Sequence, residues 1–303
     1  MILQDVKTDF HTNGWLAEKL PSNSLRRYLT SALGEKPLQL EEVIDLTYSH
    51  EENRAFFLVN YWLSKYSRLI EQGLGELEKK GYELDDCNKS SFIGIKKQES
   101  NFWTYLCNGW ELLTDEGHIL SLGSDYVPKY QFPENYFKGP KLESKLEEAK
   151  DNDSLIIPAH PLITFNGLSG FYLSRVIKDP SGFSLGLNRE NLIKFRDYFD
   201  ALESQSLIIS SKNHQEINDL AEKLDLPVIS SSDGNIDEVF SYSNILDWID
   251  FSSPENMRSS IRDGLSNKGN KIHLFKKNSP NHILTPSNIK HAFMPLIIPR
   301  DCY

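Results

Sequence analysis

The chain has 303 residues, of which 39% are hydrophobic and 11% aromatic, enough for the core of one large domain or two modest ones, so disorder is not expected. Its net charge of −10 argues against a general nucleic-acid coat. No apolar run reaches the ~20 residues that span a bilayer, and we see no export leader. The three cysteines predict neither a disulfide framework nor a thiolate zinc site. We therefore expect a cytoplasmic protein without a membrane partner.

Short apolar segments that end in polar residues predict strands along much of the chain. They are VKTDF (6–10), VIDLTYS (43–49), FIGIKK (92–97), HILSLG (118–123), SLIIPAH (154–160), SLIISS (206–211) and LPVISSSDG (226–234). Helical spacing of apolar residues predicts helices over 52–81, closing on Gly81, and over 214–226. This alternation predicts a largely parallel sheet, open or closed into a barrel, with ligands at the carboxyl ends of its strands.

Side chains that can bind metal follow or begin several of these segments. They are His11, His50, Glu111, His118, His160 and Asp233. A lone histidine at a strand end is more often a surface or capping residue than a ligand. Six such side chains at successive strand ends favour a shared metal site, because a barrel brings those ends together in one mouth.

The pattern changes near residue 240. Residues 241–264 predict a strand, a helix N-cap at Ser253 followed by Pro254, and a helix that ends near Gly264. The last 48 residues, 256–303, are basic while the rest of the chain is acidic. That segment predicts a solvated surface, or alternatively the attraction of an anionic ligand. We predict one principal domain, 1–240, with a C-terminal extension, 241–303, that packs on it.

Five blocks follow one another over roughly residues 5–240: DFHTN, LTYSHEEN, NGWELLTDEGHILSLG, IIPAHPL and LAEKLDLPVISSSDGN. In this order they resemble the polymerase and histidinol phosphatase (PHP) superfamily of metal-dependent phosphoesterases. DFHTN (9–13) is similar to the family's D-x-H-x-H and LTYSHEEN (46–53) to its T-D-H block. NGWELLTDEGHILSLG (108–123) resembles G-x-E followed by H-I-L-G-L-G, IIPAHPL (156–162) resembles A-H-P, and LAEKLDLPVISSSDGN (220–235) resembles the block that ends in S-D-x-H. The resemblance implies an α/β fold of the PHP type, a distorted seven-stranded barrel with a C-terminal appendage.

The resemblance also implies a metal-ligand set. Glu111 matches the carboxylate that bridges two metals in the family. His118 and His160 match the remaining ligands of one metal, and His11 and Asp233 match ligands of its neighbour. All five residues are present in this chain.

The chain departs from the family at three places. Asn13 and Asn235 stand where the family has histidine, and Tyr48 or Ser49 stands where an aspartate precedes His50. An amide oxygen is a poorer ligand than imidazole for zinc or manganese. These changes weaken the expected site of His11 and Asp233, and above all a third site. That third site would be built from Asn235, His50 and Glu18.

The resemblance implies a hydrolase that cleaves a phosphate ester with a metal-activated water at a centre of two divalent ions, Zn, Mn or Fe. Glu111 would bridge the ions, and His50 would be a weak ligand or a proton donor to the leaving group. The expected substrate is a phosphorylated small molecule or a nucleotide, and nucleic-acid ends are substrates elsewhere in the family. The alternative is a catalytically inactive member that binds a ligand or a protein partner.

Overall fold

The computed structural model describes residues 1–13, 39–60, 65–128, 140–163, 186–206, 209, 211–235, 239–240 and 242–266. Predictions for Glu18 and for the chain beyond residue 266 lie outside these residues. Among the helices described, none is both long and apolar enough to cross a membrane.

Eleven strands are present in the described residues. They are β1 (Ile2–Asn13), β2 (Arg54–Asn60), β3 (Tyr82–Asp85), β4 (Phe92–Lys97), β5 (Thr104–Leu113), β6 (His118–Leu122), β7 (Leu155–Pro158), β8 (Leu202–Gln205), β9 (Val228–Ser230), β10 (Gly234–Asn235) and β11 (Asn244–Asp250). The helices are α1 (Leu40–Thr47), α2 (Lys65–Lys79), α3 (Leu142–Asp151), α4 (Arg189–Lys194), α5 (Ser211–Leu224) and α6 (Pro254–Ser266), with a 3₁₀ turn at Arg196–Tyr198.

The strands form one large mixed sheet and one small sheet. The large sheet has the order β10-β1-β2-β5-β4-β3, with β11 also paired to β1, β6 to β5 and β7 to β6. Strand β1 runs parallel to β10 and β2, and β2 runs parallel to β5, whereas the other pairs of this sheet are antiparallel. The small sheet is the parallel pair β8-β9. The α/β class is confirmed, but the expectation of a largely parallel sheet is wrong.

The predicted distorted seven-stranded barrel is also wrong, because the sheet does not close. In the described part of the chain no ladder joins the small sheet to β7 or to β1. The side chain of Asn244 accepts from the backbone N–H of Ser230 at 2.9 Å and donates to its carbonyl at 2.7 Å. It also donates to the carbonyl of Thr8 in β1 at 3.3 Å. A side chain thus occupies backbone groups that β9 would need in order to pair with a further strand.

The predicted helix over 52–81 is wrong in its first part, where β2 lies. Phe56 and Leu58 pack into one core cluster, while Phe57 and Val59 pack into another. A strand buried on both faces gives an unbroken apolar run without the two-residue alternation, so its sequence merges with the helical pattern of α2. The end of the helical prediction is close, since α2 ends at Lys79 and Gly81 has a φ of +79°.

One strand prediction is also wrong, and another lies partly outside the described residues. The segment VIDLTYS belongs mostly to α1, whose buried residues Leu40, Val43, Ile44 and Thr47 have the spacing of one helical face. The segment SLIISS lies partly outside the described residues; β8 ends just before it, at Gln205, and its last residue, Ser211, begins α5. The remaining strand predictions match β1, β4, β6, β7 and β9.

Helices cover the large sheet in separate groups. One core cluster joins β2 and β4 to α1 and α2, and another joins β5, β6 and β7 to α3, α4 and α5. The third lies on the opposite face of the sheet and includes Met257 and Ile261 of α6. The predicted strand and helix after residue 240 are confirmed as β11 and α6, and the hydroxyl of Ser253 accepts from the backbone N–H of Asn256 at 3.1 Å.

Candidate metal centre

Glu111 and His118 are brought together by the hairpin between β5 and β6. Glu111 pairs with Leu120 across the ladder, and His118 lies two residues before Leu120 on the same strand. Side chains two residues apart point to the same face, so His118 is the diagonal neighbour of Glu111. The turn uses Gly117, whose φ of +140° is unfavourable for residues with a Cβ.

His160 follows β7 in a left-handed backbone conformation with a φ of +34°. Its position is fixed from two sides. The backbone N–H of the preceding Ala159 donates to the carbonyl of His118 at 3.2 Å, which joins the two histidine-bearing segments. Gly186 packs so closely that a Cβ there would collide with the carbonyl oxygen of His160. Strained backbone of this kind concentrates at functional sites.

His11 lies at an irregularity of β1. The register between β1 and β2 shifts between Asp9 and Thr12, so β1 has one extra residue there. Such a bulge changes the direction of a side chain within a strand. The carbonyl of His11 accepts from the backbone N–H of Asp233 at 2.8 Å, which fixes Asp233, with its φ of +42°, beside His11.

The histidine cluster, as we call Glu111, His118, His160, His11 and Asp233, is centred on the Glu111 carboxylate, which the three histidines contact. Oε1 of Glu111 lies 2.6 Å from Nδ1 of His118 and 3.2 Å from Nε2 of His160. Oε2 lies 3.2 Å from Nε2 of His11. The same Nε2 lies 3.4 Å from Oδ1 of Asp233. The ring centroid of His160 is 5.1 Å from that of His118 and 6.1 Å from that of His11.

The arrangement fits divalent cations. Glu111, His118 and His160 offer ligand atoms within 4.8 Å of one another, and so do His11, Glu203 and Asp233. Two atoms bonded to one zinc ion at ~2.1 Å in a tetrahedron lie about 3.4 Å apart, close to the separations found here. Nδ1 of the buried His160 has no hydrogen-bond partner among the described residues. Nitrogen and carboxylate donors together suit Zn, Mn or Fe.

Burial and mutual charge perturb the ionisation of the cluster. Burial lowers the pKa of His11, but three surrounding carboxylates, Asp233 foremost, outweigh it and hold that pKa well above its ordinary value. Burial raises the pKa of Glu111, yet His11 and His118 hold it well below its ordinary range. For His118, burial is the larger effect and lowers the pKa. Opposed shifts within one buried group are characteristic of functional sites.

The pKa values of the remaining two members, Asp233 and His160, are raised. Burial raises the pKa of Asp233 to about 7, against the opposing charge of His11. For His160, burial lowers the pKa, but the hydrogen bond to Glu111 and the nearby carboxylates outweigh it and raise the pKa overall. A divalent cation would favour the charged form of Asp233 and the neutral form of His160.

Sequence reasoning missed Glu203, which is fully buried in β8. Its Oε1 lies 3.1 Å from Nδ1 of His11 and accepts from the hydroxyl of Ser231, and its Oε2 accepts from the backbone N–H of His160. The strand was expected in the apolar run that follows, so a glutamate within the segment LESQ carried no signal. A carboxylate followed by polar residues after the apolar pair Ala201 and Leu202 would have been the pattern to seek.

The structure describes only the backbone of two of the predicted weaker ligands, Asn13 and Asn235. The backbones of Asn13 and Asn235 pair directly across the β1–β10 ladder, next to the histidine cluster. Their side chains and the whole of Glu18 lie outside the described residues.

The structure does not bring His50 to the cluster. Strand β2 begins at Arg54 opposite Lys7, and it reaches the level of Thr12 only at Leu58. His50 precedes the start of β2, whereas His11 lies level with the middle of β2, and Glu111 follows Trp110, the partner of Asn60 at the other end of β2. His50 is exposed and packs edge-on against Tyr48, with ring centroids 5.1 Å apart.

Comparisons with known proteins leave the family open. No family model matches the chain, and no curated protein matches it. Among solved structures, the chain is similar to PsfC from Pseudomonas syringae PB-5123 at 13% identity and a TM-score of 0.47. The similarity covers 87% of this chain and 90% of that one. A likeness of this size supports no conclusion about fold or function.

Proposed function

We propose that the protein is a metal-dependent hydrolase that cleaves a phosphate ester at a centre of two divalent ions. The observation that carries the proposal is the position of Glu111. Its Oε1 faces His118 and His160, and its Oε2 faces His11. A carboxylate whose two oxygens serve two separate sets of ligands is suited to bridging two ions.

The chain's own residues divide the work between the two positions. His118 and His160 would complete one position, and His11 and Asp233 the other, with Glu111 common to both. Each position then has a small number of protein ligands, which leaves room for water and for oxygens of a substrate, as catalytic metal sites require. We assign His50 no role, because it precedes the first residue of β2, Arg54, on the side of the strand away from Glu111.

When bound, two such ions would polarise a phosphoryl oxygen and lower the pKa of a coordinated water towards 7. The burial of the histidine cluster strengthens its electrostatic effect on a substrate, because a low local dielectric screens charge poorly. The choice of a phosphorylated small molecule or nucleotide as substrate follows from the resemblance to PHP phosphoesterases, which stays a prediction. A cytoplasmic setting is likewise proposed, since the described Cys87 and Cys107 are free thiols.

The test compares the wild-type protein with Glu111→Ala and the control Glu116→Ala. Glu116 is an exposed glutamate of the same hairpin, where it accepts from Asn191 at 2.8 Å. We expect about two metals per chain by mass spectrometry, and hydrolysis of a generic phosphoester, in the wild type and in the control. Both should be lost in Glu111→Ala.

Two other results would contradict the proposal. Normal metal content and turnover in Glu111→Ala would exclude the bridging role. Two metals without hydrolysis of any phosphoester in a broad screen would favour the alternative, a protein that has kept the metal cluster only to bind a ligand or a partner.

A further inference from the structure

Glu203 differs from the other buried carboxylates of the centre in what its oxygens contact. Oε1 accepts from the hydroxyl of Ser231 and faces Nδ1 of His11, while Oε2 accepts from the backbone N–H of His160. A carboxylate has about four acceptor positions, and three of those of Glu203 face donors of the protein itself. Glu203 therefore has about one acceptor position left for a cation, although it lies within 4.8 Å of ligand atoms of His11 and Asp233.

The contact with His11 determines which ring nitrogen is presented to the centre. With Nδ1 held against Glu203, Nε2 lies on the side of Glu111 and Asp233, at 3.2 Å and 3.4 Å from their oxygens. Metal-binding histidines commonly donate their other ring N–H to a carboxylate, and this fixes the ring and the tautomer.

The contact with His160 holds the backbone of a residue that belongs to the other metal position, the one shared with His118. His160 has a φ of +34°, which residues with a Cβ seldom adopt, and its N–H is bonded to Glu203. The close packing of Gly186 on the carbonyl of His160 constrains the same residue from the other side. Glu203 therefore touches a ligand of each of the two metal positions.

We propose that Glu203 is a positioning residue that holds His11 and His160 for both metal positions and is not itself a metal ligand. The inference rests on the proposed function of the centre. It predicts that loss of the carboxylate weakens both metal-binding steps while leaving the number of metals unchanged. A ligand role would instead remove one metal and change its coordination.

The test is a Co²⁺ titration of the metal-free protein, followed by visible absorption and by metal content at saturation. We compare wild type, Glu203→Gln and the control Glu116→Gln. Glu203→Gln should bind about two Co²⁺ with the wild-type band shape, but with both dissociation constants raised roughly 10- to 100-fold. Glu116→Gln should match the wild type.

Three outcomes overturn the inference. They are unchanged dissociation constants in Glu203→Gln, weakening of a single step, and loss of one Co²⁺ with an altered absorption band. If the wild type itself takes up no Co²⁺, the proposed function fails first, and the inference fails with it.

If Glu203→Gln does not fold, Ser231→Ala tests the positioning role of Glu203 instead. This substitution removes one of the hydrogen bonds that anchor Glu203 and leaves its charge and length intact. We expect both dissociation constants to rise by about threefold, since a single neutral hydrogen bond contributes modestly. Unchanged constants in a folded Ser231→Ala protein would overturn the positioning role.

Discussion

The histidine cluster and a second group of charges, the arginine clamp, both pack against the strands, but they balance charge differently. The clamp consists of Arg258, Arg262, Asp153 and Asp200. Nη2 of Arg258 lies 2.9 Å from Asp153, and Nε of Arg262 lies 2.9 Å from Asp200. Partial desolvation raises the pKa of the exposed Asp153, but the two arginines outweigh it and hold that pKa below its ordinary value.

In the clamp, each arginine forms an ion pair with an aspartate and also donates to a backbone carbonyl. Arg258, for example, donates to the carbonyl of Gly123 at 2.7 Å. In the histidine cluster, burial raises the pKa of Asp233 to about 7 while charge raises that of His11 well above its ordinary value. The clamp fixes α6 to the sheet without any ligand. The cluster concentrates carboxylates and imidazoles that a divalent cation would satisfy, so we expect the clamp to provide stability and the cluster to provide binding.

Metal removal should separate the two regions most strongly. A metal present at 1,000 times its dissociation constant stabilises the folded state by about 4 kcal/mol. That corresponds to a rise in Tm of roughly 10 °C for a chain of this size. We therefore expect a chelator to lower the Tm of the wild type by roughly this amount and to leave Glu111→Ala unchanged. An equal effect of chelator on both proteins would show that the metal binds elsewhere.

Breaking the clamp should lower stability without affecting metal content. Arg258 is 4% exposed and bonds both Asp153 and Gly123. We expect Arg258→Ala to reduce the free energy of unfolding by about 2 to 3 kcal/mol in urea denaturation. The control is Arg189→Ala, whose exposed ion pair with Glu216 contributes at most about 1 kcal/mol. A loss of bound metal in Arg258→Ala would contradict the division of roles.

The smallest effect concerns pH in the metal-free protein. A buried carboxyl with a folded-state pKa of about 7 retains its proton where the unfolded chain, with a pKa of about 3.9, has lost it. Its contribution to stability therefore falls as pH rises from about 4 to 7. We expect the free energy of unfolding of metal-free Asp233→Asn to exceed that of the metal-free wild type by on the order of 1 kcal/mol at pH 8. Below pH 4 the two free energies should be equal. A deficit at pH 8, measured by thermal unfolding across pH, would contradict this.

The sequence predicts most of the candidate centre because its side chains follow recognisable strands. His160 and Asp233 come after apolar segments that form β7 and β9, His11 lies near the end of β1, and the hairpin that carries Glu111 and His118 has a specific pattern. Each local signal therefore coincides with the position of a strand end. Whether these residues bind metal remains a prediction.

The rest could not be predicted, because local patterns do not encode it. Glu203 lies in a strand whose sequence, LESQ, lacks apolar alternation, since its polar side chains are buried against other polar groups. The sequence places His50 at a strand end because the apolar residues of VIDLTYS also fit a strand, whereas the structure puts most of that segment in α1. The gap between β9 and β1 is bridged by the side chain of Asn244, which bonds Ser230 and Thr8 from a different part of the chain.

The most direct test of the account is anomalous diffraction from crystals soaked with Zn²⁺ or Mn²⁺. We predict two peaks on opposite sides of the Glu111 carboxylate, about 3.5–4 Å apart. His118 and His160 should flank one peak, and His11 and Asp233 the other. No peak at Glu111, or a single peak bound by His11, Glu203 and Asp233 without Glu111, would contradict the central claim that Glu111 bridges two metal ions.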